Sequence, residues 1–175
     1  MIEKVLKGGS GMVWKTGEGD PYVLLASLLW ETEGIKTLPP IARTERGKPY
    51  FPGCPDLHFS VSRSGSLSLC SLGEGPIGVD VERVRPRSPG LPRYALDDRE
   101  YAWFQSRGSR WEDFYALWTL KEARVKCTGE GIFKAPARQV SVPLLEPGEN
   151  GDWEGFSFSA LSGEGWRGAL CLKNL

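Results

Sequence analysis

The chain lacks a long apolar run, an excess of either charge, and more than one histidine. Its longest apolar stretch lies near Tyr22 to Trp30 and is far too short to span a bilayer. Met1 to Ser10 carries two lysines and no apolar run long enough for a secretory signal. Lys and Arg number 22 and Asp and Glu number 22. No global field therefore draws the protein to nucleic acid or to anionic lipid, and any phosphate ligand must be held by local charges. The four cysteines, Cys54, Cys70, Cys127 and Cys171, form no CxxC and no His/Cys spacing that reads as zinc. Contexts such as Leu69-Cys70-Ser71 and Leu170-Cys171-Leu172 read as core, so these are expected to be reduced thiols in a cytoplasmic protein. His58 stands between Leu57 and Phe59 and reads as a strand residue before a general base.

What is present is enough to fold. A length of 175 residues suits one domain or two small halves. The 22 glycines and 13 prolines imply many turns, and the seven tryptophans are read as core and interface mass. A short strand is expected around Met12 to Lys15. Asp20-Pro21 reads as an N-cap and first helical residue, opening a helix through Glu33 with Leu24, Leu25, Leu28 and Leu29 on its buried side. Leu57 to Ser62 and Ser66 to Leu72 read as strands joined at Ser64-Gly65, and Ile77 to Val84 as the next strand. Pro86 to Pro92 reads as irregular. Asp97 or Asp98 is placed to cap a short helix through Tyr101 to Phe104, and Trp111 to Thr128 is the longest helical pattern, with Gly129 at its C′ position. Val140 to Leu144, Trp153 to Leu161 and Trp166 to Leu172 read as closing strands. Helix, strands, helix, strands make the class α+β. The second half echoes the first across Glu74-Gly75-Pro76, which suggests an N-terminal half of residues 1–75 and a C-terminal half of residues 76–175.

Two segments carry the chemistry. In Ile77-Gly78-Val79-Asp80-Val81-Glu82 an apolar run is interrupted by two carboxylates at i and i+2, which a strand turns to one face. In Trp118-Thr119-Leu120-Lys121-Glu122-Ala123-Arg124-Val125-Lys126, Glu122 and Lys126 at i and i+4 share one helix face. Three carboxylates and one ammonium make a plausible pocket for a hard divalent cation and a phosphate. Oxygen ligands without His or Cys suit Mg²⁺. Each element alone has a plainer reading. Most strand DxE pairs are solvated, and a Glu/Lys pair at i, i+4 is usually a surface salt bridge. Ser62, Arg63 and Ser64 read either as a phosphate cradle, since guanidinium matches phosphate bidentately, or as a polar turn. Lys48 reads as a loop lysine. Arg83, Arg85, Arg87 and Arg93 read as a solvated loop or as a surface for an acidic protein.

Taken in order, these segments resemble one family, the Sfp-type 4′-phosphopantetheinyl transferases. The family pattern is Gly-Lys-Pro, then Phe-Asn-x-Ser-His-Ser, then Gly-x-Asp-x-Glu, then Trp-x-x-Lys-Glu-x-x-x-Lys. Here it is met by Gly47-Lys48-Pro49, Phe59-Ser60-Val61-Ser62-Arg63-Ser64, Gly78-Val79-Asp80-Val81-Glu82 and the Trp118 to Lys126 run. The resemblance covers about residues 41 to 145. It implies a pseudo-twofold α+β fold of two similar halves, each a small sheet with a packed helix, and coenzyme A in the cleft between them. It implies Mg²⁺ on Asp80, Glu82 and Glu122, with Lys126 on the phosphates. Lys48 with Pro49, Ser62 and Arg63 would then meet the coenzyme A. The implied reaction is that of a holo-[acyl-carrier-protein] synthase type enzyme. It moves 4′-phosphopantetheine from coenzyme A to a serine of an acidic acyl or peptidyl carrier protein, with Glu122 and Lys126 as catalytic groups. The expected protein is a cytoplasmic monomer that uses neither nucleic acid nor membrane.

The chain departs from the family where Arg63 replaces the usual His and Ser60 the usual Asn. Between Tyr22 and Thr37 the only cation is Lys36, and Arg43 and Arg46 come later. These departures motivate the alternative, a degenerate relative that binds coenzyme A or a carrier protein without catalysis. A metal-dependent nuclease would suit the carboxylates but not the neutral charge.

Overall fold

The computed structural model describes residues 2–5, 11–130 and 136–174. Among the described residues, ten strands and four α-helices follow one another. The strands are β1 (Ile2–Val5), β2 (Met12–Glu18), β3 (Ala42–Arg43), β4 (Pro49–Tyr50), β5 (His58–Ser64), β6 (Leu67–Gly73), β7 (Ile77–Arg83), β8 (Asn150–Trp153), β9 (Phe156–Gly163) and β10 (Trp166–Lys173). The helices are α1 (Pro21–Glu33), α2 (Leu91–Ala95), α3 (Asp98–Ser106) and α4 (Trp111–Thr128).

Two antiparallel four-stranded sheets have the orders β1-β2-β6-β5 and β7-β10-β9-β8. Within each, a strand, a helix and a hairpin recur: β2, α1, β5 and β6 in one, then β7, α4, β9 and β10 in the other. The last strand of each set lies in the middle, as β2-β6-β5 and β7-β10-β9. This is the α+β architecture that the element order predicts, with β6 of the first sheet ending at Gly73 and β7 of the second beginning at Ile77.

The helices form where local signals dictate. The Asp20 carboxylate accepts from the Tyr22 and Val23 backbone N–H groups at the start of α1, and Gly34 closes that helix with left-handed backbone. Asp97 caps α3 in a reciprocal capping box with Glu100. Leu25, Leu28 and Leu29 of α1 are fully buried against β5 and β6, with Leu24 only half-buried. A second core lies under α4, from Phe114, Leu117, Leu120 and Ala123 to Phe158 and Ala169. A third, with Trp14, Leu67, Leu69, Val79, Val81 and Leu170, joins the two sheets.

α4 approaches its sheet closely at Gly78. A Cβ there would lie 2.0 Å from the Ala123 carbonyl oxygen and 2.3 Å from the Cys127 nitrogen. The missing side chain fixes the spacing of strand and helix, and with it the spacing of Asp80 and Glu82 from Glu122 and Lys126.

Four expectations need correction. Val140 to Leu144 is not a strand; its apolar residues pack while its carbonyls accept from distant cations, Lys121 to Val140, Arg124 to Ser141 and Arg99 to Val142. The stretch from Trp153 to Leu161 is broken by a turn at Glu154-Gly155, both at positive φ. Strand β5 runs to Ser64, so the hairpin turn falls at Gly65-Ser66. The Arg-rich connection gives way to a short helix from Leu91. All four cysteines are free thiols. Among the described residues no helix is long and apolar enough to cross a membrane.

Candidate active site

β7 is an edge strand of its sheet, and its open edge faces β5, the edge strand of the other. No backbone ladder joins the two among the described residues. Serine hydroxyls of β5 fill that role. Ser60 accepts from the Val79 N–H at 3.0 Å, Ser62 from Val81 at 3.3 Å and Ser64 from Arg83 at 3.1 Å. Alternate residues of a strand share a face, so Ser60, Ser62 and Ser64 aim together at the neighbouring edge.

The same seam gathers the acidic residues. Asp80 is buried, and its Oδ1 accepts from Ser62 Oγ at 2.8 Å and from Lys126 Nζ at 2.7 Å. Lys126 also donates to Ser62 Oγ at 2.9 Å. Glu82 is half-buried and accepts from Ser64 Oγ at 2.6 Å. Glu122, buried on α4, faces both. Burial first, then the charge of Asp80, pushes its carboxyl up to about 7 from the ordinary 4.5. Burial also raises Asp80 and Glu82, against the opposing pull of Lys126 on Asp80 and of the Ser64 hydroxyl on Glu82. Such a cluster is held at the cost of mutual repulsion, and Lys126 now neutralises part of it.

Among the described residues no three His, Cys, Asp or Glu side chains are gathered closely enough to form a ready metal site. Two observations nevertheless suit a hard cation. Asp80 Oδ2 is buried with no hydrogen-bond partner, and the charge of Asp80 raises the Glu82 and Glu122 carboxyls. An all-oxygen donor set is the kind Mg²⁺ takes.

Beside the cluster lies a cleft of ≈ 380 Å³ between α1, the loop through β3 and β4, β5 and the end of α4. Phe59, Val61, Pro49 and Val125 give it apolar walls, and Arg43, Arg46, Lys48 and Lys126 give it cations. No carboxylate is among the residues lining it. An apolar slot edged by cations alone suits a ligand with a flat organic part and several phosphates. Lys126 borders both the cleft and the carboxylates.

The expected residues fall into three groups. Asp80, Lys126 and Ser62 are joined by hydrogen bonds, with Glu82 one rung along on Ser64 and Glu122 near enough for the charges of Asp80 and Glu82 to raise its carboxyl. Lys48 and Pro49 line the cleft, but the Lys48 ammonium donates to the Ile77 carbonyl at 3.2 Å and the Cys127 carbonyl at 2.6 Å, bridging the halves. Arg63 stands apart: it is exposed, does not line the cleft, and donates from Nε to the Gly65 carbonyl at 2.8 Å. Sequence reasoning left Arg43 and Arg46 without a role, yet both reach the cleft. Arg43 is braced by donating to the Gly47 carbonyl at 2.9 Å and the Tyr22 hydroxyl at 3.3 Å. The other lysine of the helix motif, Lys121, faces away from the site. It pairs with buried Glu100 at 2.6 Å and ties α3 to α4.

The comparisons with known proteins agree with this geometry. Residues 76–160 match the model of the 4′-phosphopantetheinyl transferase superfamily. A 4′-phosphopantetheinyl transferase of Bacillus subtilis is 35% identical over 106 residues, 59% of this chain and 47% of the relative. The 4′-phosphopantetheinyl transferase Sfp of Bacillus subtilis strain 168 is 34% identical over 107 residues, 60% of this chain and 47% of that protein. The 4′-phosphopantetheinyl transferase AcpT of Salmonella typhimurium is 29% identical over 124 residues, 68% of this chain and 65% of that protein. The chain spans about half the length of the Bacillus relatives it matches.

Proposed function

We propose that this chain, whose residues 76–160 match the 4′-phosphopantetheinyl transferase superfamily, transfers 4′-phosphopantetheine from coenzyme A to a serine of an acyl or peptidyl carrier protein. The observation that carries the reading is the junction at Lys126, which lines a cleft edged by cations and pairs with the buried Asp80 at 2.7 Å.

Coenzyme A combines a flat base, a 3′-phosphate and a pyrophosphate, the shape and charge this cleft suits. Arg43 and Arg46 are assigned to its phosphates, with Lys48 and Pro49 forming the wall. Asp80, Glu82 and Glu122 are assigned to Mg²⁺, which when bound would offset the pyrophosphate charge as a Lewis acid. The carrier serine oxygen forms a bond to the phosphorus bearing pantetheine. The pyrophosphate P–O bond breaks, and 3′,5′-ADP leaves with the electron pair. Lys126 stabilises charge on the phosphate oxygens. Glu122 takes the serine proton directly or through water. The exposed Arg85 and Arg87, beyond β7, offer positive charge to an acidic carrier. Four free thiols suit a reducing cytoplasm.

Incubation with coenzyme A, Mg²⁺ and apo carrier proteins, followed by intact-mass measurement, tests the proposal. A gain of one phosphopantetheinyl group is expected. Coenzyme A binding without that gain would favour a non-catalytic binding protein instead.

A further inference from the structure

The two carboxylates of β7 are each held by a hydroxyl from the other sheet, with Lys126 of α4 a further partner of Asp80. Ser62 Oγ accepts from the Val81 N–H and donates to the carboxylate of the residue before it, Asp80. Ser64 Oγ accepts from the Arg83 N–H and again donates to the preceding carboxylate, Glu82. Each hydroxyl thus performs the same two tasks one rung apart. It satisfies an edge N–H of β7 and fixes the side chain that precedes it. Ser60 performs only the first, because position 78 is a glycine with no side chain to hold.

We infer that Ser62 and Ser64 are positioning residues, which orient Asp80 and Glu82 for a divalent cation only when the two sheets are docked along β5 and β7. The inference rests on the proposed metal reading of these carboxylates and deepens it. A hydroxyl has one proton to donate, and both serines spend it on a carboxylate oxygen. At each carboxylate one oxygen is pinned; in Asp80 the other, Oδ2, is left buried without a partner. A pinned carboxylate with one unused oxygen is oriented in advance, as outer partners orient the ligands of metal sites. Ser62 already receives Lys126, so its removal would disturb two groups. Ser64 contacts only β7 through its hydroxyl, and is the cleaner probe.

The experiment compares wild type, Ser64→Ala and Ser64→Thr with Mn²⁺ as probe, in the full chain without coenzyme A. Calorimetry reads Mn²⁺ affinity, hydrogen exchange reads the Arg83 amide, and thermal melting reports the fold. Ser64→Ala should weaken Mn²⁺ binding about tenfold, within the range for lost outer partners, and should speed exchange at Arg83. Ser64→Thr, which keeps the hydroxyl, should restore most of both. Equal Mn²⁺ affinity in wild type and Ser64→Ala would overturn the positioning role and leave the metal reading standing. Ser64→Thr as impaired as Ser64→Ala would also overturn it, since bulk and not the hydroxyl would then matter. Wild type that binds no Mn²⁺ would overturn the metal reading itself, and the inference with it.

Discussion

Replacing Lys121 with methionine should cost far more than a surface lysine would. The Lys121 and Glu100 side chains are 1% and 0% exposed, with Nζ 2.6 Å from Oε2. Lys121 also donates to the carbonyls of Ala137 at 3.0 Å and Val140 at 2.6 Å. Glu100 accepts from the backbone N–H groups of Asp97 at 2.9 Å and Val142 at 3.3 Å. Every strong partner of the pair is thus inside the protein. Removing the ammonium leaves a buried carboxylate uncompensated, which costs about 3–5 kcal/mol. For a chain of this size about 2–4 °C of melting temperature goes with each kcal/mol. Lys121→Met should therefore melt roughly 6–20 °C lower at pH 7 by circular dichroism. Burial already raises the Glu100 carboxyl, and Lys121 is its main counterweight. Without that lysine, Glu100 binds a proton more tightly folded than unfolded. The deficit of the variant should accordingly shrink as pH falls toward 5 and grow as pH rises. The double variant Glu100→Gln, Lys121→Met buries no charge and keeps an acceptor for one of the two N–H groups, so it should recover part of the loss. A single variant within about 1 kcal/mol of wild type, typical of an exposed ion pair, would refute the reasoning. So would a double variant no more stable than the single one.

Other outcomes follow from the site. Without divalent cations, the raised Glu122 carboxyl binds its proton more tightly in the folded chain, so stability should fall as pH rises from 4.5 through about 7; Glu122→Gln should flatten that fall in melts across the range. Gly78→Ala forces a Cβ within 2.3 Å of two backbone atoms of α4, so it should destabilise beyond the ~1–3 kcal/mol usual for overpacking, as read by urea unfolding. Arg43→Ala and Arg46→Ala should each weaken coenzyme A binding by about 1.5–3 kcal/mol for a lost charged hydrogen bond. Arg63→Ala should bind like wild type in the same calorimetry, because its side chain turns onto the Gly65 carbonyl.

Local signals made much of the fold legible. Asp20-Pro21 and Gly34 bracket α1, and Gly129 ends α4, because caps act within a few residues of themselves. The two-residue strands β3 and β4 carry no periodicity to read. Val140 to Leu144 has the apolar look of a strand, but its carbonyls are satisfied by Lys121, Arg124 and Arg99 from remote helices, and no local pattern announces such donors. The carboxylate pair and the Glu122/Lys126 pair were each ambiguous alone; packing β7 on α4 brings them together. Arg43 and Arg46 lie in a loop with no motif of its own, and only the fold carries them to the cleft. With the strand expected to end at Ser62 and Ser64 placed in the turn, neither the shared face of Ser60, Ser62 and Ser64 nor the edge they meet was legible.

The serine seam also changes what mutation can reach. A backbone ladder between strands is nearly blind to sequence, so sheets drift through evolution with their pairing intact. Here the edge-to-edge contact of the two sheets runs through three serine hydroxyls, and each can be rewritten by a single codon. Substitutions at positions 60, 62 and 64 can retune the fit of one half to the other while leaving both sheets whole. A lineage could thereby adjust the width of the cleft, and so the cargo it admits, without redesigning either half.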